Sequence, residues 1–206
     1  MDQRTENRSF RRYTFIKITL KLSEAKNMII SAVYGHKPVQ RWADLGCGSG
    51  LFTTALAELL PNGSTVYAID RSFQTITPPG NAVTIDFIQH NFENTLPPDI
   101  ENLDGMMMAN SLHYISDKEK LIRKLIPLLK TDGQFMIIEY ETKNVNPWVP
   151  YPVTFKELQQ LFSDFGFQKI EKTGERPSVY GNGMMYAASI GRQNKYGPNI
   201  SGKHDE

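Results

Sequence analysis

The sequence predicts an α/β fold: a doubly wound, mostly parallel sheet of seven strands that ends in an antiparallel hairpin. Two observations carry this. Short apolar runs that suit buried strands alternate with segments whose apolar residues recur at helical spacing, the order that builds a parallel sheet with helices on both faces. The last two apolar runs, at 168–173 and 184–190, are joined by a turn at 176–183. A parallel pair needs a longer crossover, so these two must run antiparallel.

At 206 residues the chain suits one domain with a full core. We expect that domain over 15–192, a disordered polar and basic segment at 1–14, and a flexible polar tail at 193–206. A net charge of +1, from 23 basic and 22 acidic residues, gives no broad positive field for a phosphate backbone, so nucleic acid is disfavoured as a partner. The single cysteine, Cys47, allows no intrachain disulfide and suits a reducing compartment. No apolar run approaches membrane-spanning length, and charges stand where a signal peptide would be apolar, so a cytoplasmic location is expected.

Taken in order, residues 15–22 alternate apolar and polar from Ile16 onward, the period of a half-buried strand. Ser23 can cap a helix through Met28, Ile29, Ile30 and Val33 that stops before Gly35 and Pro38. Arg41-Trp42-Ala43-Asp44-Leu45 is a first strand, and Gly46, Gly48 and Gly50 follow at alternate positions. Apolar residues at 51, 52, 55, 56, 59 and 60 then make a helical face, ended by Pro61-Asn62-Gly63. Residues 64–70 form a second strand with Asp70 at its end. Only 71–81 precedes the next strand, and Pro78-Pro79-Gly80 interrupts it, so the crossover helix there is very short or absent.

Residues 82–89 form the third strand, which runs into His90-Asn91-Phe92, and 103–109 the fourth. Met106, Met107 and Met108 read as core filling, because a strand inside a parallel sheet is apolar on both faces. Ser116 and Glu119 have the spacing of a capping box for a helix that continues through Leu128 and is terminated by 130–133. Residues 134–140 are a fifth strand. The loop at 141–153 carries Trp148, Tyr151 and three prolines at the carboxyl end of a strand, where open α/β sheets form their ligand crevice. It is therefore a candidate wall for an acceptor pocket. Thr154 caps a helix through Phe162, and the sixth and seventh strands close the sheet.

The glycine turn is the first functional signal. A strand, a glycine-rich bend and a helix bring bare backbone N–H groups and the positive end of a helix dipole to one place, which suits a nucleotide's polar atoms. In the dinucleotide pattern G-x-G-x-x-G the third glycine would fall at Leu51. The pattern present is D-x-G-x-G-x-G, from Asp44 to Gly50, with an acidic residue, Asp70, ending the next strand where a carboxylate can meet both hydroxyls of a ribose.

Together with the strand-end segment Asn110-Ser111-Leu112-His113-Tyr114, these residues make the chain resemble the class I methyltransferases that use S-adenosylmethionine, over about 22–192. The resemblance implies a Rossmann-like fold, S-adenosyl-L-methionine as cofactor and a small-molecule methyl acceptor. It implies a donor site in which Gly46, Cys47, Gly48 and Gly50 give close backbone approach and Asp44 orients the turn and the donor's amino group. Asp70, with Arg71 beside it, would hold the ribose. Asn91 stands where relatives often have an adenine-binding aspartate, and an amide oxygen can still accept that hydrogen bond, with the backbone N–H of Phe92 beside it. Phe73 or Ile76 would flank the adenine, and Asn110 the methionine end.

His113 and Tyr114 are the catalytic candidates facing the acceptor, with Tyr140 and Glu139 as further candidates. His36, His90 and His204 are isolated, and no ligand spacing for a metal is present. The enzymes that methylate amino groups of nucleic acids carry two prolines at the position of the 110–114 segment; this chain has neither. Two other readings remain open: a domain that binds the donor or its demethylated product without catalysis, and a nicotinamide-dependent oxidoreductase, which Leu51 and the final hairpin disfavour.

Overall fold

The structure, a computed structural model, describes residues 20–33, 38–178 and 183–192. The opening at 1–14, most of the expected strand at 15–22, Gly35, His36, Gly181, Asn182, His204 and the tail from 193 lie outside the described residues. The part of 15–22 that is described is not a strand: Leu22 already opens helix α1, Leu22–Val33.

Seven strands form one sheet in the order β3-β2-β1-β4-β5-β7-β6. They are β1 Arg41–Leu45, β2 Thr65–Asp70, β3 Thr84–Gln89, β4 Leu103–Ala109, β5 Leu129–Glu141, β6 Lys169–Pro177 and β7 Met184–Gly191. The strands from β3 through β5 pair in parallel, and β7 pairs antiparallel with both β5 and β6, so the expected fold class holds. The three remaining helices are α2 Leu51–Ala57, α3 Lys118–Leu125 and α4 Phe155–Ser163. No helix lies between β2 and β3, as the prolines of that segment require.

Two cores sandwich the sheet. On one face α3 and α4 cover Met106 and Met108 of β4 with Phe135 and Ile137 of β5. On the other, α1 and α2 cover Met107, Met136 and Ile138 with Trp42. Neighbouring residues of one strand point to opposite faces, so the methionine triplet serves both cores, as a doubly covered strand should. Helix α1 buries Ala25, Met28, Ile29 and Val33. Lys26 pairs with Glu58 at 2.9 Å, and the Thr173 hydroxyl donates to the Met28 carbonyl at 3.0 Å, so this helix is held to both α2 and β6.

Two boundaries differ from the sequence expectation, each for a local reason. Asp117, not Ser116, caps α3, with its carboxylate accepting from the Lys120 N–H at 2.9 Å. That helix ends at Leu125, because Pro127 has no N–H to continue it, and a 3-10 turn over Ile126–Leu128 follows. Residues 130–133 are then strand rather than a helix-ending turn: β5 starts at Leu129, and the Lys130 ammonium reaches both Asp104 oxygens at 2.9 and 2.8 Å. Thr154 caps α4 in a full capping box with Glu157. The final hairpin is tighter than expected, with β6 reaching Pro177 and β7 beginning at Met184.

Candidate functional site

The carboxyl ends of β1, β2, β3, β4 and β5, with the start of β7, frame a cavity of about 640 Å³. Its floor is the glycine turn. Gly46, Gly48 and Gly50 all have positive φ, at 80°, 51° and 82°. The Gly46 and Cys47 amides both donate to the Ile69 carbonyl, at 2.8 and 3.1 Å, which folds the bend back onto the end of β2. Asp70 then fixes the turn: one carboxylate oxygen accepts from the Gly48 N–H and the other from the Ser72 N–H, each at 2.9 Å. Each oxygen keeps a lone pair beyond those contacts.

The glycines are present for two different reasons. A Cβ on Gly46 would stand 2.6 Å from Ser111 Cβ, so the β1 turn and the β4 turn touch here. Ser111 seals that contact by donating its hydroxyl to the Leu45 carbonyl at 2.6 Å. A Cβ on Gly50 would meet Ile76 at 2.6 Å, and Gly50 is not a cavity residue. Ile76 therefore packs over the helix start rather than into the cavity. Phe73 packs edge-on against Phe87 with centroids 5.6 Å apart and is otherwise exposed.

Of the residues expected to form the site, the structure brings Gly46, Cys47, Gly48, Asp70, Arg71, Asn91, Phe92, Asn110 and Tyr114 to the cavity wall. It does not bring Asp44, Gly50 or His113 there. Asp44 is buried beneath the turn, one oxygen accepting from the Thr53 hydroxyl at 2.6 Å and the other without a protein partner. Burial, reinforced by the Asp70 carboxylate and opposed by the Thr53 hydrogen bond, pushes its carboxyl up to about 7. Burial and the carboxylates of Asp44 and Asp70 likewise push the Cys47 thiol upward, so Cys47 is a protonated wall residue and no nucleophile.

Asn110 takes a left-handed conformation, φ 55°, at the end of β4. Its side-chain oxygen is buried with no protein partner in a residue that lines the cavity. His113 follows in a 3-10 turn, 2% exposed. Its Nδ1 lies 2.6 Å from Glu139 Oε2, and its backbone N–H donates to Glu139 Oε1 at 3.1 Å. The imidazole is thus committed to a carboxylate on β5. Its ring centroid stands 4.4 Å from that of Tyr114 and 5.8 Å from that of Tyr140.

The loop at 141–153 was expected to wall a pocket, and residues 142–153 contribute nothing to the cavity. Trp148 is 75% exposed. The loop instead braces the 110–115 segment from outside: the Tyr151 N–H donates to the His113 carbonyl at 2.9 Å, and the Lys118 ammonium bridges the carbonyls of Ile115 and Tyr151 at 2.8 Å each. Burial pushes the Lys118 ammonium downward. No residue of helix α1 lines the cavity; Leu20, just before it, does. Leu20, Glu93 and Met185 are wall residues that carry no signature in the sequence. Among the described residues no group of acidic, histidine and cysteine side chains can hold a metal ion, and no helix is long and apolar enough to cross a membrane.

Comparisons agree with this geometry. A family model described as a methyltransferase domain matches residues 43–137. The chain is 22% identical over 161 residues to a ubiquinone/menaquinone biosynthesis C-methyltransferase of Vibrio campbellii, covering 75% of this chain and 58% of that protein. It is 25% identical over 148 residues to the corresponding protein of Pasteurella multocida, covering 68% and 50%. The chain thus spans little more than half the length of these relatives. Among solved structures, the 1,6-didemethyltoxoflavin-N1-methyltransferase of Burkholderia thailandensis, with 1,6-didemethyltoxoflavin and S-adenosylhomocysteine bound, superposes with a TM-score of 0.58 at 20% identity, covering 82% of this chain and 79% of that one. An S-adenosylmethionine-dependent methyltransferase of Aquifex aeolicus gives 0.56 at 17%, covering 84% and 98%. At such identities these two likenesses establish the fold.

Proposed function

We infer that the chain is a class I S-adenosylmethionine-dependent methyltransferase, which transfers a methyl group from S-adenosylmethionine to a small-molecule acceptor by in-line displacement; the methyltransferase-domain match over residues 43–137 supports this. The single observation that carries this reading is Asp70, whose carboxylate pins the glycine turn through Gly48 and still has acceptor capacity toward the cavity.

The residues present fit the donor. The backbone at Gly48 leaves room for close approach, since nothing lies within 4 Å of the position a Cβ there would take. The free lone pairs of Asp70 suit two ribose hydroxyls, with Arg71 alongside. Asn91 and Phe92, at the end of β3, suit the adenine edge. The unpartnered oxygen of Asn110 suits the donor's ammonium, which would relieve the cost of an orphaned buried acceptor. Asp44 acts from below, through Thr53 at the first turn of α2, to hold the bend in place.

When bound, the donor supplies an electrophilic methyl carbon on a sulfonium with a good leaving group. The chain's own contribution is to hold an attacking atom about three ångströms from that carbon, opposite sulfur, where positioning alone supplies roughly 7 kcal/mol or more. A base is needed only for an acceptor that still carries its proton near neutral pH. His113 is turned into Glu139 and is absent from the cavity wall, which favours positioning over proton removal as its role.

Asp70→Ala tests the reading. Two charge-assisted hydrogen bonds are lost, so donor affinity is expected to fall by about 2 kcal/mol, roughly 30-fold. Titration calorimetry with S-adenosylhomocysteine, on a variant whose circular dichroism is unchanged, reads this directly; an unaltered dissociation constant would reject the donor site. Turnover of labelled donor against a metabolite panel separates a transferase from a domain that only binds.

A further inference from the structure

Across the cavity, charge is confined to one end. Asp70, Arg71 and Glu93 line it beside β2 and β3. At the other side, where Tyr140 of β5 pairs with Met185 of β7, the wall with Leu20 and with Tyr114 from the turn after β4 has no charged side chain. Tyr114 is 50% exposed, an unusual state for a large ring at the mouth of a core. Its ring is tilted by 49° against the His113 ring, and the Tyr140 ring is tilted by 48° against that same imidazole. The His113–Glu139 pair is therefore the common support of both cavity tyrosines.

That support is rigid. The imidazole is gripped at Nδ1, its backbone N–H by the same carboxylate, and its carbonyl by the Tyr151 N–H. A buried, hydrogen-bonded polar pair of this kind holds one arrangement, because moving either group would leave it without its partner. Aromatic side chains held this way offer a preorganised flat surface, and rings meet such surfaces in offset or edge-on contact.

We propose that the β5–β7 end of the cavity takes a flat, uncharged aromatic methyl acceptor lying against Tyr114, and that His113, anchored by Glu139, is a positioning residue that fixes this aromatic wall. The proposal rests on the donor site described above, which leaves this end of the cavity to the acceptor. It names a substrate class for the site, and it explains why a histidine next to the reaction centre is withdrawn from the wall.

The test is binding and needs no turnover. Calorimetry on the full chain saturated with S-adenosylhomocysteine compares 2-naphthol with its saturated counterpart decahydro-2-naphthol. The aromatic alcohol is expected to bind at least tenfold more tightly, and Tyr114→Leu to erase most of that preference while leaving the S-adenosylhomocysteine affinity within twofold. Glu139→Gln, if folded, is expected to weaken naphthol several-fold with the same constancy toward S-adenosylhomocysteine. Equal affinity for the two alcohols overturns the aromatic assignment, and competition between naphthol and S-adenosylhomocysteine overturns the placement. Equal weakening of both ligands in Glu139→Gln overturns the positioning role. A wild-type chain that binds no S-adenosylhomocysteine sinks the donor reading instead, a result distinct from any of these. Tyr114→Leu alters a half-exposed ring, so the test survives even if the buried Glu139 variant does not fold.

Discussion

At the β2–β3 end of the cavity the wall is backbone held by carboxylates, whereas at the β5–β7 end it is side chains held by one another. In the first region Gly46, Cys47 and Gly48 present amides that Ile69 and Asp70, at the end of the next strand, fix. In the second, Tyr114, Tyr140 and Met185 come from separate elements, and the buried His113–Glu139 pair stands behind the two tyrosines. A site for a constant ligand can be made of main chain, which every sequence has. A site for a particular acceptor needs side chains that differ between proteins, and those must be locked from behind.

The two regions should break differently. The largest effect is expected from Glu139→Ala, which leaves the His113 Nδ1 and backbone N–H buried without their acceptor and should cost about 1–3 kcal/mol for each in a urea unfolding titration. A loss below about 1 kcal/mol would mean that the pair is not the lock of the acceptor end.

Next is the pH dependence of stability from Asp44. Its folded carboxyl is pushed up to about 7 while the unfolded one titrates near its ordinary 3.8, so between these values the folded state holds more protons. Stability therefore falls as pH rises from about 4 to about 7 and levels off above, by at most ~4 kcal/mol for three pKa units. Asp44→Asn should flatten that slope; melting curves across the range would reveal an unchanged slope if another group is responsible.

Gly46→Ala comes third. A left-handed residue with a Cβ costs roughly 1–2 kcal/mol, and overpacking against Ser111 adds a similar amount, so about 3 kcal/mol is expected. Gly48→Ala, with the same backbone problem and open space around it, should cost about 1 kcal/mol. Equal losses in denaturant would show that contact between the β1 and β4 turns is not what Gly46 permits. Smallest is Trp148→Ala: the ring is 75% exposed and lines no cavity, so a stability change within about 0.5 kcal/mol and unaltered binding at both ends are expected. A larger change in naphthol binding would move the loop back into the acceptor wall.

Much of this molecule is legible without coordinates. Strand and helix periods gave the order of elements, and the short links at 71–81 and 176–183 gave the missing crossover and the antiparallel end. The glycine turn was legible too, because each glycine marks a backbone state that other residues avoid. Local patterns misled where two caps competed, as at Ser116 and Asp117, and where Pro127 cut a helix short so that β5 began early.

The sequence by itself determined the sheet, the glycine turn and the carboxylate that ends β2, since each depends on spacing over a few residues. Only the tertiary structure decided that His113 turns inward to Glu139, that Asp44 lies beneath the bend, that the proline-rich loop stands outside the cavity, and that Leu20 and Met185 stand on its wall. Those facts depend on which side chains meet across strands far apart in the chain, and packing, not spacing, settles such meetings.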